Sequence, residues 1–221
     1  MYPDAPKLPA APGYEIAGVV AEAGPESGFK AGDRVGGFTV FGGYADEVVG
    51  PKDYFVSLSD ELPFEKAAAI PVNYITAVMG LVEMCRIREG DHVLIHGGAG
   101  GVGRLALQLA KSKGCTTYTT VSTSAKFEVA KSAGADYIIN YREQDFAKEI
   151  NGITQGRGID AIMDAVGGKN LKYDAKCLKP GGRIVLFGLA GAVQNSKKST
   201  SKILKAFLSS LTLSPMMLMN R

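Results

Sequence analysis

Apolar and polar positions divide the chain into a β-rich part, a helical connector and a longer segment in which strands and helices alternate. Between residues 14 and 58, glycine and proline separate short β-type runs, among them IAGVV at 16–20 and a segment at 44–49. The stretch at 63–91 then changes to helical spacing, and Pro71 is expected to divide it into a short and a longer helix. The sequence therefore predicts a mostly β first part that helices join to the rest.

The remainder of the chain repeats apolar strand patterns with amphipathic helical patterns between them. The predicted strands lie at 92–97, 116–121, 136–141, 160–166 and 182–188. Strands and helices that alternate at this spacing indicate a parallel sheet with helices on both faces. We therefore predict an α/β fold: a Rossmann-type doubly wound parallel sheet in residues 66–221, preceded by a partial, mostly β lobe in residues 1–65.

Composition narrows the class of protein without naming a partner. The 221 residues are 46% apolar, which is ample for a packed core, and the net charge of +3 is too balanced for a dedicated nucleic-acid surface. Cys85, Cys115 and Cys177 form no ligand-spaced cluster and are expected to be reduced and mostly buried. Because no apolar run reaches the ~18 residues of a membrane span and no signal-peptide pattern is present, we predict a soluble, cytoplasmic protein.

A glycine-rich loop separates the first strand of this sheet from an amphipathic helix, in the sequence HVLIHGGAGGVGRLALQLAKSKG at 92–114. Glycines let the backbone turn tightly and approach a pyrophosphate closely, while the amino terminus of the helix faces the anion. The spacing differs from GxGxxG, so the prediction depends on the order of strand, loop and helix. We predict that Gly100, Gly101 and Val102 contact a dinucleotide; the alternative is a tight turn that binds nothing.

Two further strand ends carry small or apolar residues at the edge where such sheets bind their ligands. The predicted cofactor-contacting residues there are Val166, Gly167, Phe187, Gly188 and Leu189. Small residues at this edge leave room for a dinucleotide. No Ser-His-Asp, Cys-His or paired-carboxylate spacing is present, so the sequence nominates no covalent nucleophile.

The segment after the second strand of the sheet predicts which dinucleotide is bound. A site that prefers NAD places Asp or Glu there, about 20 residues beyond the glycine loop, to accept hydrogen bonds from the ribose 2′-hydroxyl. Residues 119–126 read TTVSTSAK and contain no acid, and Glu128 is expected to lie in the next helix already. The sequence therefore predicts NADPH, whose 2′-phosphate would meet hydroxyls and Lys126; in the alternative, Lys126 only solvates the start of a helix.

Lysines alternate with apolar residues at helical spacing between 197 and 211, near the end of the chain. An amphipathic basic helix of this kind is able to lie on an anionic membrane surface. The alternative, which we favour, is a helix that covers the core or a substrate cavity and turns its basic face to solvent.

Several short motifs occur together in an order typical of one enzyme family. They are KAGDRV at 30–35, GGYADEVV at 42–49, AAAIPVNYITA at 67–77, AGGVG at 99–103, INYR at 139–142, DAVGG at 164–168 and LKPGGRIVLFG at 178–188. The chain resembles the zinc-independent quinone oxidoreductases, or zeta-crystallin-like reductases, of the medium-chain dehydrogenase/reductase superfamily. The terminal LSPMMLMNR is similar to the vesicle-amine-transport-protein-like branch of that group.

The resemblance implies roles for residues that no local pattern identifies. Thr76 is implied to lie beside the nicotinamide with Asn73 and Tyr74, and Tyr74 is a weak candidate for a proton donor; ordinary helix capping and packing is the alternative for all three. The residues implied to surround the 2′-phosphate are Ser122, Lys126 and Tyr141.

The resemblance also implies that both ends of the chain are truncated. Members of the family begin with a longer GroES-like catalytic lobe, and they continue beyond the position of Arg221 with the edge strand that forms their homodimer. We therefore expect weak turnover and a weakened dimer.

Zinc is not expected. Zinc-bearing relatives place a His beside the position of Glu15 and carry a four-cysteine lobe after the strand that ends near Val35, and this sequence has neither. His92 and His96 flank the first strand of the sheet, on the cofactor side, and are interpreted as strand-end or core residues. Two functions remain: an NADPH-dependent reductase of small quinones or α,β-unsaturated carbonyls, or a non-catalytic, structural or membrane-associated nucleotide-binding relative.

Overall fold

The computed structural model describes residues 6–188, which belong to two compact units, Met1–Ile75 and Thr76–Arg221. The first unit contains an antiparallel sheet of three strands in the order β1 (Glu15–Val19), β2 (Arg34–Phe38) and β3 (Phe55–Ser57). Gly37 of β2 pairs with Phe55 of β3, and a side chain at Gly37 would overlap the Phe55 ring. The β character predicted for this part of the chain is therefore present.

The β-type run expected at 44–49 is not a strand. These residues form bends and irregular backbone, and the side chains of Tyr44 and Val49 are exposed. The backbone N–H of Tyr44 donates to the Pro12 carbonyl, 2.9 Å away, at a turn where Gly42 has a φ of +85°. Because the apolar side chains of this run bury no face of a sheet, their alternation does not produce strand pairing.

The connector contains the two helices that the sequence predicts, α1 (Phe64–Ala67) and α2 (Pro71–Val78), and a π-helical segment, Met79–Met84, that follows α2. Pro71 begins the second helix, where a missing N–H costs nothing. The division between the two units falls inside α2, later than the boundary expected at 65/66.

Contacts in the first unit explain this later division. The Glu15 carboxylate accepts a hydrogen bond of 2.9 Å from the backbone N–H of Val72 and so joins β1 to α2. The Arg34 guanidinium lies 4.0 Å from the centre of the Phe64 ring and joins β2 to α1. Both helix starts are therefore tied to the first unit.

By length and composition, the connector also meets the criteria for a membrane span. Residues Phe64–Met84 have a mean hydropathy of 1.4 over the best window. The apolar pattern of the sequence predicted no such segment. Pro71 interrupts its helical backbone, and a single segment of this kind is weak support for a membrane protein.

The second unit is a five-stranded parallel sheet with strand order β6-β5-β4-β7-β8. Its strands are β4 (His92–His96), β5 (Thr116–Val121), β6 (Tyr137–Asn140), β7 (Ile159–Asp164) and β8 (Leu178–Leu186). The helices between them are α3 (Gly101–Ser112), α4 (Phe127–Ser132), α5 (Phe146–Ile153) and α6 (Asn170–Cys177). This order and direction confirm the predicted Rossmann-type fold, and the chain order reverses between β4 and β7.

Strand β8 begins earlier than the sequence predicts. It follows α6 without a loop and starts at Leu178 instead of Gly182. The register between β7 and β8 shifts near Ile159 and Ala161, so the additional residues of β8 are accommodated by an irregularity in the pairing. A pattern that contains Pro180 and two glycines gives no local sign of this longer strand.

The core of the second unit lies on both faces of the sheet. Val93 and Ile95 of β4 are fully buried against α3, whereas Leu94 is fully buried on the opposite face with Tyr118 and Ile150. A central parallel strand is covered on both faces and therefore has no polar alternation. His96 shares its face with Leu94, since alternate residues of a strand point the same way.

The three cysteines are free and buried, as expected from their spacing. Burial raises the pKa of Cys85 and of Cys115 to about 11, and that of Cys177 to about 12. These thiols therefore behave as small apolar side chains rather than as nucleophiles.

Candidate dinucleotide-binding site

The glycine loop connects the carboxyl end of β4 to the amino end of α3, as the sequence predicts. Gly97 has a φ of +74°, a conformation that glycine adopts without strain. The backbone N–H groups of Gly97 and Gly98 donate to the Thr120 carbonyl, at 3.0 and 3.3 Å, and so attach the loop to the end of β5. The loop is thereby fixed at the edge where parallel sheets bind nucleotides.

Close packing explains two of the glycines in this loop. A Cβ atom at Gly103 would overlap the carbonyl oxygen of Gly97, and a Cβ atom at Gly98 would overlap the Thr119 hydroxyl. The helix and the loop therefore approach each other more closely than side chains would permit. This packing leaves a backbone cradle of the kind that a pyrophosphate requires, so the residues present fit a dinucleotide.

The amino terminus of α3 carries Gly100, Gly101 and Val102, the three loop residues predicted to contact the cofactor. Gly100 is the N-cap residue and supplies no side-chain hydrogen bond to the helix. The first-turn N–H groups of an α-helix have no acceptor within the helix, and the helix dipole makes this end positive. The arrangement is suited to an anionic group.

A second loop follows β7 and carries Val166 and Gly167. The side chain of Asp164 accepts hydrogen bonds from the backbone N–H groups of Val166, at 2.6 Å, and of Gly167, at 3.0 Å. Gly167 and Gly168 have φ values of +63° and +61°, so glycine suits both positions. Asp164 therefore defines the path of this loop.

The end of β8 lies beside the same loop. The backbone N–H of Phe187 donates to the Asp164 carbonyl at 3.0 Å, and a Cβ atom at Gly188 would lie 3.1 Å from the carbonyl carbon of Ala165. The structure thus brings Phe187 and Gly188 next to the loop that carries Val166. Leu189, also predicted at this site, lies outside the described residues.

The residues proposed for the 2′-phosphate lie where β5 and β6 end. The ammonium of Lys126 donates to the Ser122 hydroxyl at 3.2 Å, and the backbone N–H of Tyr141 donates to the Val121 carbonyl at 3.1 Å. Lys126 ends a short 3-10 turn, and Glu128 lies in α4, where it was expected. The three predicted residues therefore share one edge of the sheet, and their contact with a phosphate stays a prediction.

Asn73, Tyr74 and Thr76 lie on α2. The Asn73 side-chain amide donates to the Ala69 carbonyl at 2.8 Å, which is the helix-packing role given as its alternative. The Tyr74 side chain is partly exposed, and Thr76 is the first residue of the second unit. Their position beside a nicotinamide stays a prediction.

The two histidines lie at opposite ends of β4, so the expectation that both face the cofactor side is wrong for His92. His92 begins the strand, and its Nδ1 lies 3.0 Å from the Tyr118 hydroxyl. Burial, with the charge of Arg157, lowers the pKa of His92. A parallel strand ends at the cofactor edge, and this places only its last residue, His96, near that edge.

His96 belongs to a buried polar cluster that the sequence reasoning missed. Its Nε2 lies 2.8 Å from Oδ1 of Asp174, and its Nδ1 lies 2.8 Å from the Thr120 hydroxyl. Asp164 and Asp174 are both fully buried. One signal in the sequence points to Asp174: it stands at helical spacing between Leu171 and Cys177, both of which are buried.

Zinc does not fit this cluster. The potential ligand atoms of His96, Asp164 and Asp174 lie within 4.8 Å of one another. However, both nitrogens of His96 and both oxygens of Asp164 already take part in hydrogen bonds to the protein. A zinc site needs about three ligands that converge with free lone pairs, and His96 has no ring nitrogen left to serve as one of them.

The strand order and the glycine loop define a Rossmann-type dinucleotide-binding protein. Residues 101–220 match the family model described as zinc-binding dehydrogenase, and residues 1–60 match the alcohol dehydrogenase GroES-like domain. The chain belongs to this zinc-binding dehydrogenase family. The match confirms the resemblance to the medium-chain dehydrogenase/reductase superfamily.

Individual relatives agree with this family. The chain is 38% identical to the synaptic vesicle membrane protein VAT-1 homolog of Mus musculus, over 90% of this chain and 49% of the relative. It is 33% identical to the quinone oxidoreductase of Rattus norvegicus, over 90% of this chain and 61% of the relative. The chain therefore spans about half to three-fifths of these two relatives.

A solved structure shows the same fold. The crystal structure of Escherichia coli quinone oxidoreductase complexed with NADPH is 33% identical, with a TM-score of 0.78 over 93% of this chain and 63% of the other. Both the sequence and the structural likeness therefore include proteins named quinone oxidoreductase, the group that the sequence motifs resemble.

Proposed function

We propose that the chain binds NADPH and belongs to an oxidoreductase that reduces quinones or α,β-unsaturated carbonyl compounds without zinc. The observation that carries the proposal is the pair of Lys126 and Ser122 at the end of β5, in a segment that contains no acid. A carboxylate at this position would repel a 2′-phosphate, whereas an ammonium and a hydroxyl donate hydrogen bonds to it.

The remaining contacts follow from the backbone. The amino terminus of α3 would hold the pyrophosphate, since the first-turn N–H groups of a helix have no acceptor within the helix, and the close packing at Gly98 and Gly103 would let the phosphates approach the backbone. The loop that carries Val166 and Gly167 would lie along the nicotinamide half. When bound, NADPH supplies the hydride for the reduction.

The class of acceptor that we propose is supported by the poor fit of zinc to the His96 cluster in the described residues. A carbonyl without a metal to polarise it depends on positioned hydrogen-bond donors and on proximity to the hydride donor. Quinones and enones are activated acceptors, so hydride transfer to them depends less on a polarising metal than hydride transfer to simple ketones does. The names of the rat and E. coli relatives support the quinone class.

Tyr74 is the candidate proton donor within this proposal. Its side chain is partly exposed on α2, which leaves the hydroxyl accessible to a substrate. Tyr74→Phe is expected to lower kcat while the Kd for NADPH stays the same, because phenylalanine keeps the packing of the ring and removes only the proton.

The test has two stages. Titration of the chain with NADPH and with NADH, followed by nicotinamide fluorescence, should show tighter binding of NADPH. NADPH oxidation is then followed with a panel of quinones and enones. A chain that binds neither nucleotide, or that prefers NADH, would contradict the proposal.

A second candidate function is a nucleotide-binding, membrane-associated protein without turnover. The name of the mouse relative, a synaptic vesicle membrane protein homolog that is 38% identical, favours it. Sedimentation with vesicles of anionic lipid, compared with vesicles of neutral lipid, tests the membrane association. Nucleotide binding without oxidation by any acceptor, together with sedimentation on anionic vesicles, would favour this candidate over the reductase.

A further inference from the structure

The buried cluster of His96, Asp164 and Asp174 lies at the point of the sheet where the chain order reverses. His96 ends β4, Asp164 ends the neighbouring strand β7, and Asp174 reaches them from α6. In sheets of this type, the ligand crevice opens above this point. The cluster therefore lies directly below the two loops that are proposed to hold the dinucleotide.

Each of these two loops is hydrogen-bonded to the cluster. Asp164 holds the second loop through the N–H groups of Val166 and Gly167. Thr120, whose hydroxyl contacts His96, uses its carbonyl to hold the N–H of Gly97 in the glycine loop. The second loop is therefore bonded to the cluster itself, whereas the glycine loop is linked to it through Thr120.

The hydrogen-bonding partners of Asp174 are incomplete for a carboxylate. Its Oδ1 contacts His96, but within the described part of the chain its buried Oδ2 has no hydrogen-bond donor. Leaving a buried charged oxygen without a donor costs several times the net free energy of an ordinary hydrogen bond. The Asp164 carboxylate lies in the same cluster, where the potential ligand atoms of the three side chains are within 4.8 Å of one another, and its charge acts on Asp174.

A single proton completes every hydrogen bond of the cluster. If Oδ2 of Asp174 carries it, this oxygen donates to Asp164, which keeps its charge and its two backbone N–H bonds. Oδ1 of Asp174 then accepts from Nε2–H of His96, and Nδ1 of His96 accepts from the Thr120 hydroxyl. Two buried carboxylates that lie close together cannot both ionise without a large cost, so sharing a proton is the favoured state.

We propose that Asp174 is a positioning residue for the dinucleotide: as a carboxylic acid it hydrogen-bonds the Asp164 carboxylate and thereby fixes the loop of Val166 and Gly167. The inference rests on the proposed function only in that the loop is taken to contact the cofactor. Asp174 itself touches no substrate or cofactor in this scheme.

The surroundings of Asp174 agree with this role. Burial raises its pKa to about 6; the hydrogen bond and charge of His96 oppose this rise, and Asp164 adds to it. The helix α5, which also packs on α6, presents the Phe146 ring to His96 at 4.9 Å between ring centroids. Within residues 6–188, the ionisable groups near Asp174 include His96 from β4, Asp164 from β7 and the Cys177 thiol on α6 itself.

The proposal predicts a pH profile for nucleotide affinity. As the pH rises through the pKa of Asp174, the proton is lost, and the two carboxylates repel each other and loosen the loop. Wild-type affinity for NADH should fall about threefold to tenfold between about pH 5.5 and pH 8. NADH is the cleaner probe because the 2′-phosphate of NADPH titrates in the same range.

Asp174→Asn and Asp174→Ala separate positioning from packing. Asparagine mimics the protonated acid, because its amide donates to Asp164 and its carbonyl accepts from His96; affinity should stay within about threefold of the wild type at low pH and become independent of pH. Alanine should lose about tenfold to a hundredfold at every pH. Ala175→Asn, at the exposed neighbouring position on α6, is the matched control.

Amide hydrogen exchange of the unliganded wild-type chain tests the same proposal without a variant or a nucleotide. Protection of the Val166 and Gly167 amides, relative to the Thr154 amide that donates to the Ile150 carbonyl at the end of α5, should decrease as the pH rises through about 6. Unchanged relative protection, or an Asp174→Asn profile identical to that of the wild type, would overturn the proposal. Failure of the wild type to bind either nucleotide would instead contradict the proposed function, and the exchange experiment would still decide the role of Asp174.

Discussion

The ammonium of Lys126 lies 3.2 Å from the hydroxyl of Ser122, at the carboxyl end of β5. Both groups are able to donate to an anionic oxygen, and neither repels one. This pair therefore makes the clearest prediction about the choice of cofactor.

Lys126→Ala is expected to weaken NADPH binding by about one to two decades and to leave NADH binding nearly unchanged, since a hydrogen bond to a charged group contributes roughly 1.5–3 kcal/mol. Titration of both nucleotides against wild type and variant measures this. Lys131→Ala, an exposed lysine of α4, is the control for the change in net charge. Equal losses for the two nucleotides would show that the 2′-phosphate does not bind at Lys126.

Gly103→Ala should abolish nucleotide binding and lower the free energy of unfolding by about 1–3 kcal/mol or more, because the new methyl group would overlap the Gly97 carbonyl. Gly152→Ala in α5 meets nothing within 4 Å and should be neutral or stabilising, by up to about 1 kcal/mol. Thermal unfolding and nucleotide titration of both variants test the close approach. Normal nucleotide binding by the Gly103→Ala variant would show that binding does not need this close approach of α3 to the glycine loop.

Asp160→Asn should destabilise the chain at neutral pH by about 1–3 kcal/mol. The Asp160 carboxylate pairs with Arg157 at 2.8 Å and with Lys179, and it accepts from the His92 backbone N–H at 2.9 Å. Burial alone would raise the pKa of Asp160, but these hydrogen bonds outweigh burial and lower it below the ordinary 3.8.

A lowered pKa in the folded state means that this stabilisation is complete above about pH 4 and is lost as the pH falls through the folded value. The stability difference between wild type and Asp160→Asn should therefore shrink below about pH 4. Denaturant unfolding across this range measures it, with Glu143→Gln, an exposed acid, as the control. A difference that is constant with pH would contradict the ion-pair interpretation.

The thiols of Cys85, Cys115 and Cys177 should be resistant to alkylation in the folded chain. A pKa near 11 leaves about a hundredfold less thiolate than an ordinary cysteine has, and burial hinders access further. Mass spectrometry after iodoacetamide treatment should show little modification at neutral pH and three adducts after unfolding in denaturant. Rapid labelling of one of these cysteines in the folded chain would place it at an accessible surface.

Purified protein should hold no stoichiometric zinc, although the family model that it matches is described as zinc-binding. The sequence lacks the His beside Glu15 and the four-cysteine lobe, and hydrogen bonds engage both ring nitrogens of His96. Elemental analysis after dialysis tests this. About one tightly held zinc per chain would refute it.

The sequence by itself determined the order of strands and helices in the second unit and the place of the glycine loop. These features depend on periodicity and turn chemistry within a few residues, as at Pro71 and Gly97, where the backbone conformation is set locally. For the same reason the sequence correctly predicted that Glu128 lies in a helix, and it showed that residues 119–126, which end at Lys126, contain no acid.

Only the tertiary structure decided which polar residues meet in the core. His96 and Asp174 are separated by 78 positions, and they touch because β4 and β7 are neighbours and α6 packs against β7. Likewise, apolar and polar residues alternate at 44–49 as they do in a strand, but in the described structure these residues do not pair with a sheet. Such contacts depend on strand order and helix packing, which no short window of sequence encodes, and so the cluster below the two loops that we propose to hold the cofactor forms only when the chain folds.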